Sequence, residues 1–250
     1  MFEVTLHLAA LLILAAFVAG FVDSIAGGGG LITVPALLLA GANPLEALGT
    51  NKVQGSFGAA TAALTYARAG HVDLLAQLPA AMLGFAAGVA GAMLASVLPT
   101  ETLRNLLPIV LIAIALFFAL KPGLTDADRT ARLSPVAFTA LIVPLIGTYD
   151  GLVGPGAGAF YMIGFVMLAG YGVLKATAHT KLLNFASNLG GLVAFAATGS
   201  PWWFTGIAMG LAQVAGAALG ARLAMRIGAR LIKPLLVATS TLLALRLLWG

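Results

Sequence analysis

The sequence predicts an all-α polytopic membrane protein with about ten transmembrane segments, arranged as two inverted five-helix repeats whose second helices are broken or short. Three observations predict this fold. First, 61% of the 250 residues are hydrophobic and only 8% are charged, with a mean hydropathy of +1.05, whereas about a quarter of an average soluble domain is charged. Second, a glycine-rich motif occurs once in each half of the chain. Third, each half holds an odd number of apolar segments.

The apolar segments follow from length, because a spanning helix needs roughly 20 mostly apolar residues. The first half holds segments at about 4–24, 30–42, 45–68, 74–98 and 103–120. The second half holds them at about 134–148, 156–171, 173–198, 203–225 and 229–249. The second segment of each half is short and begins at a glycine-rich break. The predicted organisation is a first transmembrane repeat at 1–120, a polar linker at 121–133 and a second repeat at 134–250.

The distribution of basic residues predicts the orientation. An odd number of crossings per repeat inverts the second half relative to the first. Basic residues crowd the last loop of the second half and also occupy the linker: Arg222, Arg226, Arg230 and Lys233, and Lys121, Arg129 and Arg132. The positive-inside rule makes both regions cytoplasmic. Both termini are then outside, in a multi-pass protein of the inner or plasma membrane.

An alternative topology makes the short second segments re-entrant, which leaves eight crossings. The two halves would then be parallel, and the basic cluster between Arg222 and Lys233 would lie outside the cell. The positive-inside rule disfavours that arrangement.

Composition also narrows the chemistry. Cysteine is absent, which excludes disulfides, thiolate metal sites and cysteine nucleophiles. We expect no metal and no organic cofactor, because no cluster of ligand residues has suitable spacing. The net charge of +5 does not predict nucleic-acid binding, since most basic residues lie at predicted helix ends.

The repeated motif is the feature that points to function. Each copy has an acid, a glycine-rich break, a short apolar segment and a lysine inside an apolar helix: Asp23, Gly27–Gly30 and Lys52 in the first copy, and Asp150, Gly154–Gly158 and Lys181 in the second. Two copies of a broken, charged membrane segment are typical of a transporter whose substrate site lies where the copies meet.

The glycine breaks predict an anion site. Glycine costs roughly 1 kcal/mol against alanine inside a helix, and unwound backbone is tolerated in a membrane only where it is buried in protein or lines a cavity. A helix that restarts after the break presents free N–H groups and a positive dipole end. The backbone groups expected to bind the anion belong to Gly28, Gly29, Gly30, Gly156 and Gly158. The alternative is close helix packing, for which small residues are common in membranes.

The lysines are the second candidate feature. Lys181 lies on a polar helical face with Thr177, Asn184, Asn188 and Gly191, because their spacing alternates between three and four residues. Lys52 follows Asn51 in a shorter polar stripe. An ammonium group in the membrane is costly unless it is paired or hydrated, so each lysine is a candidate partner for an anionic substrate. The alternatives are a snorkelling Lys52, and a structural pair of either lysine with an acid.

Asp23 and Asp150 lie where the first helix of each half gives way to the break. A carboxylate there could cap the restarted helix, pair with a lysine, or carry a coupling proton or cation. The sequence does not choose among these roles.

The same residues resemble a known family. Asp-Ser-x-x-Gly-Gly-Gly-Gly-Leu-Ile-Thr-Val-Pro at 23–35 and Gly-Thr-Asn-Lys at 49–52 are similar to motifs of the sulfite exporter TauE/SafE family of membrane permeases. The second half agrees, with Tyr-Asp-Gly at 149–151, Gly-Pro-Gly-x-Gly at 154–158 and Ala-Thr-Ala-x-Thr-Lys-x-x-Asn at 176–184. The likeness covers nearly the whole chain.

The resemblance implies a secondary transporter of small sulfur-containing anions such as sulfite, sulfoacetate or other organosulfonates, with export as the expected direction. It carries over, as site residues, those that lie in the matching motifs: Asn51, Lys52, Asp150, Thr180, Lys181, Asn184 and Asn188. The expected partners are the anion, the lipid bilayer and a coupling proton or cation.

Other functions remain as alternatives. A passive anion channel, or a permease for other small organic acids, would use the same residues. An intramembrane aspartyl protease would use Asp23 and Asp150 as a carboxylate pair, but the Gly-x-Gly-Asp motif is absent and the lysines would have no role. The sequence therefore favours a transporter and not an enzyme.

Overall fold

The structure is a computed structural model that describes residues 3–99, 101–103, 105, 109, 126–198, 201–228 and 230. The predicted segments at 103–120 and 229–249 therefore lie almost entirely outside the described residues. Within the described residues the chain is helical and contains no strand, which confirms the all-α class.

The helices are numbered here in chain order. The first half contains α1 (Leu6–Ala26), α2 (Gly30–Leu39), α3 (Pro44–Arg68) and α4 (Leu78–Val97). The second half contains α5 (Pro135–Leu152), α6 (Ala157–Met167), α7 (Val173–Ala197) and α8 (Trp203–Ile227). Four of these helices, α1, α4, α5 and α8, are long and apolar enough to cross a membrane. Helices α2 and α6 are apolar but short, as the sequence predicts.

Local chemistry sets the helix boundaries. Helix α1 ends where Gly27 adopts a φ of 71°, a backbone conformation that glycine adopts readily because it has no Cβ. Helix α3 begins with a capping box, in which the Asn43 side chain and the Glu46 side chain each bind the other residue's backbone N–H, and Pro44 occupies the first turn. Helix α2 ends before Gly41, whose φ is 99°, so it is three residues shorter than the predicted 30–42. Helix α5 contains a π-helical stretch at Phe138–Ile142.

Helices of the first half pack on helices of the second half. Helix α1 packs on α8, and α4 packs on α5. The two 25-residue helices that carry the lysines, α3 and α7, pack on each other at the centre. Glycines allow the close contacts: a Cβ at Gly88 or Gly91 of α4 would collide with backbone atoms of Ser187 and Thr148, respectively. These contacts are the small-residue packing expected of membrane helices.

The contacts between α3 and α7 show that these two helices are antiparallel. Gly49, early in α3, lies against Phe195, late in α7. One turn further along α3, the Lys52 side chain lies against Gly191. Gly55 then lies against Asn188.

Other helix pairs are parallel. Glu3, just before α1, binds Thr205 near the start of α8, and Ser24 near the end of α1 lies against Gly220. In the pair formed by α4 and α5, residue numbers in contact likewise rise together, from Gly84 with Val143 to Gly91 with Leu152. Contacts between α3 and α8 run from Thr50 with Gly206 to Gly58 with Gln213.

Helix α4 also runs parallel to α7, because Gly84 lies near Leu183 and Val89 lies near Gly190. Helices α1, α3 and α8 therefore share one direction, and α4, α5 and α7 share the opposite direction. The first helices of the two halves, α1 and α5, consequently run in opposite directions.

Candidate functional site

The two glycine breaks meet at the centre of the protein. A Cβ at Gly27 would collide with the backbone of Gly158 and Ala159, and a Cβ at Gly30 would lie 3.1 Å from Pro155 Cα. Gly27 and Gly28 also have positive φ values of 71° and 140°. Backbone from one half thus touches backbone from the other, and both the contact and the conformation require glycine at Gly27.

A cavity of about 30 Å³ lies at this junction. One ordered water needs roughly 10–15 Å³ by the same measure, so the cavity has room for a few atoms only. Residues from both halves line it: Asp23, Gly28, Gly29, Gly30, Asn51, Gly55, Asp150, Gly154, Gly156, Ala157, Gly158, Asn184, Asn188 and Gln213. We call it the central cavity.

Each lysine of the repeated motif pairs with the acid of the other copy. Lys52 Nζ lies 2.5 Å from Asp150 Oδ1. Lys181 Nζ lies 3.5 Å from Asp23 Oδ2 and also donates a hydrogen bond to the Asp23 backbone carbonyl. The two ion pairs therefore cross between the halves.

Both pairs are buried, but not equally. The Lys52 and Asp150 side chains are 1% and 2% exposed. The Lys181 side chain is 1% exposed, whereas that of Asp23 is 15% exposed. A snorkelling Lys52, one of the alternatives from sequence, does not occur, because its ammonium is buried against Asp150. Removing one partner of a buried pair costs about 3–5 kcal/mol, since the other charge is left uncompensated.

The two acids have different second roles. Asp23 Oδ1 accepts hydrogen bonds from the backbone N–H groups of Gly28 and Gly29, at 2.9 and 3.1 Å. It thereby binds the backbone of the first glycine break, just before α2 begins at Gly30. Asp150 instead accepts a hydrogen bond from the Ser187 hydroxyl through Oδ2. The backbone of the first glycine break thus already binds Asp23, the acid of the same motif copy. The backbone of the second glycine break does not bind Asp150 in this way.

Two asparagine amides have nitrogens free to bind a ligand. Asn51 Oδ1 accepts hydrogen bonds from Thr33 Oγ1 and Gln54 Nε2, at 2.8 and 3.2 Å. Asn184 Oδ1 accepts from Asn188 Nδ2 at 3.2 Å. Within the described part of the chain, neither Asn51 Nδ2 nor Asn184 Nδ2 donates a hydrogen bond. The oxygen of each amide already accepts a hydrogen bond. Each asparagine therefore presents N–H donors to the cavity.

These two amide nitrogens lie beside the glycine breaks. A Cβ at Gly30 would lie 3.4 Å from Asn51 Nδ2, and one at Gly154 would lie 3.5 Å from the same atom. A Cβ at Gly158 would lie 3.4 Å from Asn184 Nδ2. The central cavity therefore brings together amide donors from both halves and glycine backbone from both breaks.

Three predicted site residues lie elsewhere. Lys52, Lys181 and Thr180 are buried but do not line the central cavity. Each lysine instead pairs with an acid that lines the cavity. Thr180 Oγ1 has no hydrogen-bond partner among the described residues. The other predicted residues line the cavity: Asp23, Gly28, Gly29, Gly30, Asn51, Asp150, Gly156, Gly158, Asn184 and Asn188.

Sequence reasoning missed several residues of the site. Gln213 of α8 is not among the predicted site residues. It binds Gln54 Oε1 through Nε2 at 3.0 Å, and it also lines the cavity. Ser187 binds Asp150. A signal existed for Gln213, which is an amide in an otherwise apolar segment.

The comparisons with known proteins agree with the helical membrane architecture. The family model "Sulfite exporter TauE/SafE" matches residues 12–247. A protein of Sinorhizobium sp named "Probable membrane transporter protein ORF9" is 56% identical over 246 residues, which are 98% of this chain and 94% of that protein. No solved structure matches.

More distant relatives carry similar names. "Probable membrane transporter protein YfcA" of Escherichia coli strain K12 is 42% identical over 249 residues, covering 100% of this chain and 93% of that protein. A "Probable membrane transporter protein" of Haemophilus influenzae is 38% identical over 247 residues, covering 99% and 97%. The chain is therefore a multi-pass membrane protein that belongs to the sulfite exporter TauE/SafE family, a family of transporters and not of enzymes.

Proposed function

We propose that the protein is a secondary transporter of small sulfur-containing anions such as sulfite, sulfoacetate or other organosulfonates, working by alternating access with export as the expected direction. The observation that carries this proposal is a pair of amide nitrogens, Asn51 Nδ2 and Asn184 Nδ2, which donate no hydrogen bond within the described residues and lie at a cavity built from both glycine breaks. N–H donors converging from two sides are the chemistry that an oxyanion requires.

The size of the central cavity supports a compact substrate. About 30 Å³ leaves room for a group such as a sulfite ion or the sulfonate head of a larger molecule, and none for a bulky organic body unless the site opens. The family description names sulfite, and we extend that substrate class to this chain as part of the proposal.

The lysines would act through their ion pairs. An anion that reaches the central cavity is attracted by Lys181 and Lys52 and repelled by Asp23 and Asp150, which line the wall. Substrate binding therefore competes with the acids for the lysines. The Lys181–Asp23 pair is the longer of the two and includes the more exposed acid, so it is the pair that the substrate opens first.

A released carboxylate beside a bound anion is unfavourable, because like charges in a region of low dielectric repel strongly. Asp23 would then take up a proton or pair with a cation, and Asp150 would do so if the second pair opened. This exchange is the proposed coupling step.

The proposed architecture is a pair of inverted repeats, 1–120 and 134–250, joined by a cytoplasmic linker at 121–133, with about ten transmembrane segments and both termini outside. The opposite directions of α1 and α5, and the antiparallel packing of α3 on α7, support it. In such folds, one repeat rocks against the other around a central site. The crossed ion pairs would hold the two repeats together until substrate arrives.

The test is transport of radiolabelled sulfite into liposomes containing the purified protein. Replacing Asn184 with Asp places a carboxylate where an N–H donor stands, so uptake should fall by more than about tenfold. The matched control is Thr65→Val, since the Thr65 hydroxyl binds only Thr61 O of its own helix among the described residues. Equal uptake by Asn184→Asp and the control, with both variants folded, would contradict the proposed site.

The same liposomes separate a transporter from a channel. A transporter shows saturable uptake that accelerates when unlabelled sulfite is loaded on the opposite side. Uptake that stays linear with concentration and ignores the opposite side would favour the passive channel. Acceleration by acetate but not by sulfite or sulfoacetate would favour a permease for other organic acids.

A further inference from the structure

Three side-chain amides are joined by hydrogen bonds beside the central cavity. Gln213 Nε2 of α8 donates to Gln54 Oε1 at 3.0 Å, and Gln54 Nε2 donates to Asn51 Oδ1 at 3.2 Å. We call Asn51, Gln54 and Gln213 the amide network. Asn51 and Gln213 line the cavity, whereas Gln54 does not. The network therefore connects a predicted ligand of the anion to a helix of the other half.

Gln54 is the middle member of the network, and it is 0% exposed. Burying an amide is unfavourable unless its hydrogen bonds are made. The two neighbouring amides supply one bond to the oxygen of Gln54 and one to its nitrogen. Because Gln54 is fully buried, it cannot touch a molecule in the cavity. Any influence that Gln54 has on a bound anion must act through Asn51 or Gln213.

The direction of these hydrogen bonds decides which side of the Asn51 amide faces the cavity. The Thr33 hydroxyl binds Asn51 Oδ1 at 2.8 Å, but a hydroxyl can donate or accept, so it would also suit the amide nitrogen. Gln54 does distinguish the two sides, because Gln213 already occupies its oxygen and it therefore offers its nitrogen. Gln54 thereby holds Asn51 Oδ1, and Asn51 Nδ2 is left for the cavity.

Gly58 of α3 leaves the space that the Gln213 amide fills. A Cβ at Gly58 would lie 2.2 Å from Gln213 Oε1, which is too close for two such atoms. The obstacle is the end of a flexible side chain, so an added methyl group would displace the Gln213 amide and leave the backbone in place. Gly58 does not line the central cavity. A substitution at Gly58 therefore disturbs the network from outside the anion site.

The second half supports its asparagine differently. Asn184 Oδ1 accepts a hydrogen bond from Asn188 of the same helix. The Val-Ala-Gly-Ala sequence at 89–92 recurs at 214–217, which aligns Gly88 of α4 with Gln213 of α8. A Cβ at Gly88 would lie 2.3 Å from the backbone oxygen of Ser187, so α4 has no room for an amide at this position. Among the described residues, support by an amide from the other half is thus specific to Asn51.

We propose that Gln54 and Gln213 are positioning residues for the anion. Gln213 fixes the amide of Gln54, and Gln54 turns Asn51 so that Nδ2, not Oδ1, faces the central cavity. Neither glutamine needs to touch the anion for this effect. The proposal rests on the proposed function, because it requires that an oxyanion binds at Asn51 Nδ2. Without the network, Asn51 presents either side of its amide, and the oxyanion finds a donor there only part of the time.

The first test is the dissociation constant of radiolabelled sulfite for the purified full-length protein. Gln54→Met keeps the length of the side chain but removes the donor to Asn51, so Kd should rise about fivefold while every folded molecule still binds. The matched control is Thr61→Val, whose Kd should not change, because the Thr61 hydroxyl binds Phe57 O in its own helix. A structural role alone would lower the fraction of protein that binds without changing Kd, and that result would overturn the proposal.

The second test reaches the network through Gly58. Gly58→Ala displaces the Gln213 amide and should raise Kd for sulfite about threefold. The matched control is Gly84→Ala, because a Cβ at Gly84 would meet the Val143 side chain at an ordinary 3.5 Å and Gly84 does not line the central cavity.

The double variant shows whether the two glutamines act as one unit. Combining Gly58→Ala with Gln54→Met should not weaken binding beyond Gln54→Met alone, because the network is already broken. Effects that multiply would overturn the proposal. An unchanged Kd in a folded Gly58→Ala variant would also overturn it, even if Gln54→Met did not fold.

The unsubstituted protein separates this proposal from the proposed function. If it binds neither sulfite nor sulfoacetate, the proposed function fails and the positioning role fails with it. If it binds sulfite, and Gln54→Met and Gly58→Ala bind with the same Kd, only the positioning role fails. A higher Kd in both variants, with both controls unchanged, supports the positioning role.

Discussion

Lys52 of α3 and Asp150 of α5 form a buried ion pair, 2.5 Å between Nζ and Oδ1, that joins the two halves of the chain. Its counterpart joins Lys181 of α7 to Asp23 of α1. Each pair takes its lysine from one copy of the motif and its acid from the other. The repeated motif therefore serves at once to hold the halves together and to place charge beside the central cavity.

Breaking the tighter pair should destabilise the protein strongly. Lys52→Gln leaves Asp150 buried without its partner, at a cost of about 3–5 kcal/mol, measured as a lower unfolding temperature in detergent. The double variant Lys52→Gln with Asp150→Asn should recover most of that loss, because no charge remains unpaired. The control is Lys175→Gln, which breaks an exposed pair with Asp128 and should cost no more than about 1 kcal/mol. Additive losses in the double variant would contradict this account of the pair.

Glycine at position 27 should be indispensable. Gly27→Ala adds a methyl group that collides with the backbone of Gly158 and Ala159 and also strains a φ of 71°, so both stability and transport should fall. Gly41 separates the two causes, since it has a φ of 99° but nothing within 4 Å of an added Cβ. Gly41→Ala should cost only the strain, about 1–2 kcal/mol, and should keep transport. Equal effects of the two variants would mean that contact between the breaks is unimportant.

Glu3 should make stability depend on acid pH. Partial burial raises the pKa of Glu3, but hydrogen bonds from the Thr205 hydroxyl and from the N–H groups of Thr205 and Phe204 outweigh it, so the pKa lies below its ordinary value of 4.5. Because the pKa of Glu3 is lower in the folded state, the ionised carboxylate stabilises the protein at pH values above the ordinary pKa of 4.5. That contribution is lost as pH falls through the folded value.

The corresponding variant is Glu3→Gln. Its unfolding temperature should be slightly below that of the parent at pH 7, and the gap should close as the pH is lowered towards about 3. The effect should be small, because Glu3 is largely accessible to solvent. A gap that stays constant from pH 7 to pH 3 would show that the Glu3 charge does not contribute.

Much of this architecture was predictable from the sequence. Apolar runs and glycine breaks located the described helices to within a few residues, because spanning length and helix breaking are local properties. The short α2 and α6 followed from the same signals. The predicted ends of α2 and α6, near Gly41 and Gly170, lie too far along the chain. Positive φ values at these glycines end the helices, whereas the apolar pattern of the sequence continues past them.

The partners within the site were not predictable. Each acid is followed by a glycine break and a lysine in its own copy, so sequence distance gave no reason to pair Asp23 with Lys181. The pairing depends on how α3 and α7 pack, which is a tertiary property. The orientation of the Asn51 amide depends likewise on Thr33 and Gln54. The roles of the lysines in attracting the substrate, and of the acids in coupling, stay predictions.

The most direct test of the central claim is thermal stabilisation of the purified protein by a panel of anions: sulfite, sulfate, sulfoacetate, taurine and acetate. A ligand that binds the folded state raises the free energy of unfolding, by about 2.7 kcal/mol at a concentration of a hundred times Kd, and therefore raises the unfolding temperature. The account predicts stabilisation by sulfite or a sulfonate, and loss of that response in a folded Lys181→Gln variant that no longer transports. Stabilisation by none of the anions, or an undiminished response and unchanged transport in Lys181→Gln, would contradict it.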